Sequence, residues 1–148
     1  MKITRLKVLT LMIGWFAIGF WSGAAHANPY YYTVTKVTDG DTIRVEVPWM
    51  PEELGKDIAI RIMGIDTPEK GGRASCEAEA KLGEEATEFA RSVIKVGDVV
   101  GVNLISWDKY GGRIDADVIV DGQDFAQMQI ERGLAKPYDG GTKESWCE

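Results

Sequence analysis

Short stretches in which apolar and polar residues alternate are the feature that most limits how this chain can fold. Every second residue is apolar over residues 43–47, 58–63 and 114–120. A period of two places these apolar side chains on one face of a β-strand, so each stretch predicts a strand with one buried face. Aromatic and β-branched residues predict two further strands, over residues 30–37 and 99–107.

Two other stretches have the features of helices. Apolar side chains recur every three or four positions between residues 77 and 95, at Ala78, Leu82, Ala86, Phe89, Ala90 and Val93. This spacing predicts an amphipathic helix, which Gly97 and Asp98 close. Asp124 can cap a short second helix over residues 125–132. The order β-β-β-α-β-β-α, with short antiparallel strands, predicts a mainly β protein with α: a five-stranded OB-fold barrel with two to three helices.

The first 27 residues predict an export signal. Lys2, Arg5 and Lys7 precede an apolar run over residues 8–20, and Ala25-His26-Ala27 matches the pattern that signal peptidase cuts. An uncleaved membrane anchor is the alternative, but glycines in and after the apolar run favour removal. We expect a signal peptide at residues 1–27 and one domain at residues 28–148, in the periplasm of a bacterium or secreted. We expect no stable membrane association after cleavage, and a monomer.

Residues 28–148 contain more acidic than basic residues. Cleavage removes three of the 17 basic residues, which leaves 14 against 23 acidic residues and a net charge of −9. Such a balance is unusual for a protein that binds nucleic acid, because phosphate contacts need positive charge.

The only histidine of the sequence, His26, lies in the predicted leader. Histidine-ligated zinc and a Ser-His-Asp triad are therefore excluded, which leaves carboxylates, arginines, lysines, tyrosines and metal ions.

The sequence contains two cysteines, Cys76 and Cys147. In an oxidising export compartment such a pair is typically bridged. An internal disulfide would tie the C-terminal segment to a residue 71 positions upstream. Two free thiols, or a bridge to another chain, are the alternatives.

Two acidic clusters stand at predicted strand ends, Asp39-Gly40-Asp41-Thr42 and Asp66-Thr67-Pro68-Glu69. Hard divalent cations prefer carboxylate and carbonyl oxygens, although an ordinary turn and an ordinary strand exit would explain each cluster singly. Arg61 lies opposite the isoleucines of its strand, where its planar guanidinium could bind a phosphate or simply face solvent. Arg113 follows a Gly-Gly pair that would let the backbone approach a ligand, or it ends a plain loop.

Together these segments resemble the staphylococcal nuclease (thermonuclease) family over about residues 32–138. The matching segments are Val37-Thr38-Asp39-Gly40-Asp41-Thr42, Arg61-Ile62-Met63-Gly64-Ile65-Asp66-Thr67-Pro68-Glu69, Asp108-Lys109-Tyr110-Gly111-Gly112-Arg113 and Arg132-Gly133-Leu134-Ala135-Lys136. Four motifs in this order form a specific signal, whereas any one alone would be weak. The resemblance implies a barrel like that of staphylococcal nuclease. It also implies a calcium-dependent nuclease, with endonuclease activity on DNA and/or RNA that leaves 3′-phosphate and 5′-hydroxyl ends.

The resemblance also implies a metal site and a residue that acts on water. Asp41 and Asp66 resemble the carboxylate ligands of Ca²⁺, and Thr67 resembles the residue that adds its backbone carbonyl. Glu69 resembles the group that activates or orients the attacking water. Phosphodiester hydrolysis adds negative charge to the phosphate oxygens, which a cation stabilises more in the transition state than in the ground state. This chemistry requires no histidine.

The remaining implied roles concern the substrate. Arg61 and Arg113 resemble the two phosphate-binding arginines of the family, and both are expected to act in catalysis. Lys109 and Tyr110 resemble residues that contact a terminal phosphate, and Tyr138 is expected to pack on a base or sugar. One extra glycine between Tyr110 and Arg113 departs from the family pattern, and it affects Lys109 and Tyr110 more than Arg113.

The chain departs from the namesake of the family in two further ways. It ends soon after Tyr138 without a long C-terminal helix, and we expect the disulfide to take over the stabilising role of that helix. Its net negative charge predicts slow capture of long DNA, with a weaker salt dependence than that of a basic binder.

Two other functions remain open from the sequence. A catalytically silent barrel of the same fold could bind nucleic acid or protein, because a fold does not determine an activity. A structural or inhibitory periplasmic protein is the other. The presence of Asp41, Arg61 and Glu69 together favours the enzyme.

Overall fold

A computed structural model of the chain describes residues 29–109 and 111–147. The predicted signal peptide at residues 1–27 and the predicted substrate contact Tyr110 lie outside the described residues. Among the helices that are described, none combines the length and the hydropathy needed to cross a membrane.

The strands are β1 (Tyr30–Val37), β2 (Thr42–Glu46), β3 (Asp57–Ile62), β4 (Ile65–Asp66), β5 (Val99–Trp107), β6 (Arg113–Val120), β7 (Gln123–Asp124) and β8 (Lys136–Pro137). The helices are α1 (Glu77–Val93) and α2 (Phe125–Glu131), and single 3-10 turns lie at Glu52–Leu54 and Gly71–Arg73. The five predicted strands and both predicted helices are present, with differences of one or two residues at some ends. The sequence did not predict β4, β7 and β8, because two residues are too few to show a period.

Pairing between the strands closes a barrel. Strand β1 pairs with β2 and β5, β2 also pairs with β3, and β5 also pairs with β6, all antiparallel. The circle is completed by β3 and β6, which pair in parallel from Ala59↔Arg113 to Ile62↔Ala116. The predicted five-stranded barrel is therefore confirmed, except that its closing pair is parallel. Outside the barrel, β4 pairs with β8 through Ile65↔Pro137 and Asp66↔Lys136.

The barrel interior is filled by the apolar residues of the alternating stretches. They include Ile43, Val45, Ile60, Ile62, Ala116 and Val118, all nearly inaccessible to water. Helix α1 adds Ala86 and Ala90 to the buried residues, and the ring of Phe89 stacks on that of Phe125. Because successive residues of a strand point to opposite faces, burial of the isoleucines in β3 sends Arg61 out of this core.

The disulfide between Cys76 and Cys147 is present in the structure, as an internal bridge. The Cys76 sulfur also caps α1, where it accepts a hydrogen bond from the backbone N–H of Glu79 at 3.4 Å. The bridge therefore holds the C-terminal segment at the start of α1. Asp124 caps α2 as predicted, and its side chain accepts a hydrogen bond from the N–H of Ala126 at 2.9 Å.

Candidate functional site

A cleft of about 770 Å³ lies beside the barrel, where the loops after β1, β4 and β5 meet the C-terminal segment. Its volume is within the range of pockets that enclose small ligands. The residues of the sequence-based prediction that line it are Asp41, Arg61, Thr67, Glu69, Lys109, Arg113 and Tyr138. Asp66 lies behind this lining and contacts it through Arg61 and Lys143. The predicted site residues that the structure describes therefore converge on one place.

Strand pairing places Arg61 beside Asp41. Arg61 of β3 is the cross-strand partner of Thr42 in β2, and the N–H of Ile62 donates to the backbone oxygen of Asp41 at 2.8 Å. The Arg61 guanidinium forms an ion pair with Asp41 Oδ2. Asp66 is the last residue of β4, and its Oδ1 atom lies 3.9 Å from the same guanidinium. One arginine therefore bridges two carboxylates that are 25 positions apart in the sequence.

Both bridged carboxylates are buried, which makes their charges costly without cations nearby. Asp41 is 8% exposed and Asp66 is 3% exposed, and Asp66 Oδ1 is paired with the ammonium group of Lys143 at 2.6 Å and the guanidinium of Arg61 at 3.9 Å. Burial lowers the pKa of Arg61, and the positive charge of Arg113 lowers it further, against the opposing effect of Asp66. Arginine nevertheless remains charged near neutral pH. The effect of Arg113 means that the two guanidinium groups lie close enough to repel each other.

Thr67 and Glu69 follow Asp66 along the wall of the cleft. The N–H of Thr67 lies 3.5 Å from Asp41 Oδ2, so this buried residue joins the two acidic clusters. The carboxylate of Glu69 is half-buried, 3.4 Å from Arg73 and 3.6 Å from Lys143. Glu69 therefore faces the space that Asp66 and Arg61 border.

The donor set suits a hard divalent cation. Asp41 and Asp66 offer carboxylate oxygens, and a divalent cation could take the place of the Lys143 ammonium group at the buried Asp66 Oδ1 atom. Thr67 is buried between them and could add its carbonyl oxygen. Within the described part of the chain, no cluster of three or more histidine, cysteine, aspartate or glutamate residues has the arrangement of a metal site. A cation here would thus rely on two carboxylates, a carbonyl and water, which calcium and magnesium accept and zinc rarely uses.

The predicted substrate contacts also line the cleft. Arg113 Nε lies 2.7 Å from Asp108 Oδ2, and the side chain of Arg113 is 38% exposed. Lys109 lines the same cleft. The Tyr138 hydroxyl donates to the carbonyl of Gly141 at 2.9 Å, which holds the ring at the cleft.

A sequence model described as staphylococcal nuclease homologue matches residues 59–145, which is more than half of the chain. This chain belongs to the staphylococcal nuclease family. The match includes Arg61, Asp66, Glu69 and Arg113, whereas Asp41 lies before it, so the place of Asp41 in the site depends on the geometry above.

One curated relative of this staphylococcal nuclease homologue is an uncharacterized lipoprotein of Mycoplasma genitalium. The two proteins are 32% identical over 111 residues, and the match covers 69% of this chain and 42% of the lipoprotein. The chain therefore spans less than half the length of this relative.

The structure adds residues to this nuclease-family site that the sequence did not indicate. Lys143 Nζ lies 2.6 Å from Asp66 Oδ1, and Trp146 Nε1 lies 3.4 Å from Asp66 Oδ2. Arg73 pairs with Glu69, and Glu79 accepts hydrogen bonds from the backbone before α1. Neither Lys143 nor Trp146 belongs to a periodic pattern of apolar residues in the sequence. Only the predicted disulfide could have indicated their position near the site, since it brings the neighbours of Cys147 to the start of α1.

Proposed function

We propose that this member of the staphylococcal nuclease family is a calcium-dependent nuclease. It hydrolyses phosphodiester bonds of DNA and/or RNA, acts as an endonuclease, and leaves 3′-phosphate and 5′-hydroxyl ends. The observation that carries the proposal is the bridge that Arg61 makes between the buried carboxylates of Asp41 and Asp66, in a cleft that also contains Glu69 and Arg113.

Asp41, Asp66 and the carbonyl of Thr67 would hold the calcium ion. A bound calcium ion would polarise a phosphate oxygen or a water molecule and stabilise negative charge near these carboxylates. The ion pairs of Arg61 with both acids support this assignment, because the two carboxylates contact the same guanidinium.

Arg61 and Arg113 would bind the oxygens of the scissile phosphate. Each now contacts a carboxylate, so a phosphate would replace or share Asp41 and Asp108 as the partner of a guanidinium. Guanidinium groups stabilise a phosphate more strongly as its charge rises in the transition state. Substrate binding would therefore reorganise the ion pairs of the cleft without moving the strands that carry the arginines.

Glu69 would orient the attacking water and accept its proton. Water attacks phosphorus, the bond between phosphorus and the 5′ oxygen breaks, and that oxygen leaves as a 5′-hydroxyl after it gains a proton. A glutamate is a weak base near neutral pH, so its position relative to the water matters more than its basicity. Lys109, Tyr110 and Tyr138 would contact the parts of the nucleic acid that flank the scissile bond.

The same proposal includes export. Residues 1–27 would act as a signal peptide, and residues 28–148 would work as a monomeric domain in the periplasm or outside the cell. The Cys76–Cys147 disulfide supports an oxidising compartment. Both cysteines of these 148 residues are in this bridge, whereas the curated relative is named a lipoprotein.

A cleavage assay tests the activity. Purified protein is incubated with plasmid DNA and with single-stranded DNA, in one set of reactions with Ca²⁺ and in another with a chelator. Cutting is expected only in the reactions with Ca²⁺. Arg61→Ala and Glu69→Ala should each reduce the rate by about 10²–10³, the usual cost of losing one transition-state contact. Arg44→Ala is the matched control, because Arg44 lies on the neighbouring strand and pairs with Asp57 outside the cleft.

Full activity in both site variants would contradict the residue assignment. Binding of DNA without cutting, in the presence of Ca²⁺, would instead identify the protein as a binding module of the same fold.

A further inference from the structure

A lysine from the end of the chain occupies the acidic side of the cleft. Lys143 belongs to residues 138–147, which we call the tail. Its ammonium group lies 2.6 Å from Asp66 Oδ1 and 3.6 Å from Glu69 Oε1. Asp66 is one of the two carboxylates assigned above to calcium, and its Oδ1 atom is inaccessible to water. The tail therefore already places a positive charge where the divalent cation would bind.

Several contacts fix the path of the tail toward Asp66. At its start, the N–H of Tyr138 donates to the carbonyl of Gly64 at 2.9 Å. Further on, Lys136 Nζ donates to the carbonyl of Ser145 at 2.8 Å and lies 4.6 Å from the centre of the Trp146 ring. At the end, Cys147 is covalently bound to Cys76. Lys143 is therefore held between two attachment points.

An attached ammonium group is an effective competitor for a cation site. Attachment at both ends raises its local concentration far above that of a free amine in solution. A calcium ion and an ammonium group at one carboxylate oxygen would repel each other, and the buried position weakens the screening of that repulsion by water. Lys143 is 47% exposed, which lets the side chain move away into solvent when a stronger cation arrives.

We propose that the tail regulates calcium binding: Lys143 competes with Ca²⁺ for Asp66, and the Cys76–Cys147 disulfide keeps Lys143 in place. The ion must displace the ammonium group from Asp66, so the affinity of the protein for calcium is lower than that of the same carboxylates without the tail. Opening the disulfide releases the tail and raises the affinity. This inference rests on the proposed calcium site at Asp41 and Asp66.

Isothermal titration calorimetry with calcium chloride measures the competition directly, without an activity assay. Lys143→Gln is expected to tighten the dissociation constant for Ca²⁺ by about 5- to 10-fold, because it removes the charge but keeps a side chain of similar length. Lys143→Arg retains the charge and should bind calcium nearly as weakly as the unmodified protein. Lys81→Gln is the matched control, since Lys81 is an exposed residue of α1 outside the cleft lining; its affinity should not change.

A second variant tests the role of the disulfide. Cys147→Ser should lower the dissociation constant for Ca²⁺ toward that of Lys143→Gln. The protein with both changes should bind Ca²⁺ about as tightly as Lys143→Gln alone, because both changes act through one ammonium group. Independent, additive effects of the two changes would overturn the role assigned to the disulfide. If Cys147→Ser does not fold, the comparison of Lys143→Gln with Lys143→Arg still decides whether Lys143 competes.

The outcomes separate this inference from the proposed function. Equal or weaker calcium binding by Lys143→Gln, in a protein whose binding is abolished by Asp66→Asn, would overturn the competition and leave the calcium site intact. Absence of calcium binding in the unmodified protein and in Lys143→Gln would overturn both.

Discussion

The two halves of the cleft are held in place by different kinds of contact. Backbone hydrogen bonds between strands hold the barrel half, which consists of Asp41 and Arg61. Side-chain contacts and a disulfide hold the loop half, which consists of Glu69 and Lys143. In the barrel half, Thr42↔Arg61 is a register pair of β2 and β3. In the loop half, the contacts converge on the first turns of α1. Both halves meet at Asp66.

The difference indicates how each half responds to change. A register pair cannot shift without turning a whole strand over, because a slip of one residue exposes its buried face. The loop half has no such restraint. Its geometry depends on a few contacts at α1, so changes there should affect Glu69 and the tail while Asp41 and Arg61 stay in place.

The largest expected effect in the loop half comes from the disulfide. Reduction, or Cys76→Ser with Cys147→Ser, should lower the free energy of unfolding by about 4 kcal/mol, since the bridge closes a loop of 71 positions in the unfolded chain. Thermal melting with and without reductant measures the loss. An unchanged melting temperature would show that the bridge does not stabilise the folded protein.

A smaller effect is expected at Gly83 of α1. A Cβ atom there would lie 2.5 Å from the backbone oxygen of Glu69 and 2.8 Å from that of Pro68. Gly83→Ala should therefore destabilise the protein by about 1–3 kcal/mol through overpacking, in spite of the better helix propensity of alanine. It should also slow DNA cleavage, because Glu69 must move, while calorimetry should show calcium binding nearly unchanged.

Gly72→Ala is the control for this change, since a Cβ atom at Gly72 meets nothing within 4 Å. If Gly83→Ala weakened calcium binding as much as cleavage, the two halves of the cleft would be coupled more tightly than the contacts indicate.

The smallest effect is a change in acid stability at Glu79. Its buried carboxylate accepts hydrogen bonds from the N–H of Ser75 at 2.6 Å and of Glu69 at 3.3 Å. The bond from Ser75 is the main reason that the pKa of Glu79 lies below the usual glutamate value of 4.5. A lowered pKa adds stability above the unfolded value, and this stability is lost as the pH falls through the folded value.

Glu79→Gln should therefore lose stability at neutral pH and show a shallower decline of the melting temperature below about pH 4.5, the ordinary glutamate value. Melting curves at several acidic pH values measure both slopes. Identical slopes for the two proteins would mean that the bonds from Ser75 and Glu69 do not depend on the charge of Glu79.

The sequence predicted the strands well because each depends on neighbouring residues. The alternation around Ile60 and Ile43 sets which face of β3 and β2 is buried, and this also determined that Arg61 leaves the core. Glu77 begins α1 as predicted, but the helix ends at Val93 rather than at residue 95. The slow capture of long DNA and its weak salt dependence remain predictions from the net charge.

The sequence by itself determined the barrel, the two acidic clusters and the pair of cysteines, since these follow from local periodicity, from motifs and from composition. Only the tertiary structure decided that β3 and β6 close the barrel in parallel and that β4 pairs with β8. It alone placed Lys143 against Asp66 and made Glu79 a support of Glu69. Such contacts join segments far apart in the chain, and no pattern among neighbouring residues encodes which distant side chain will fill a given space.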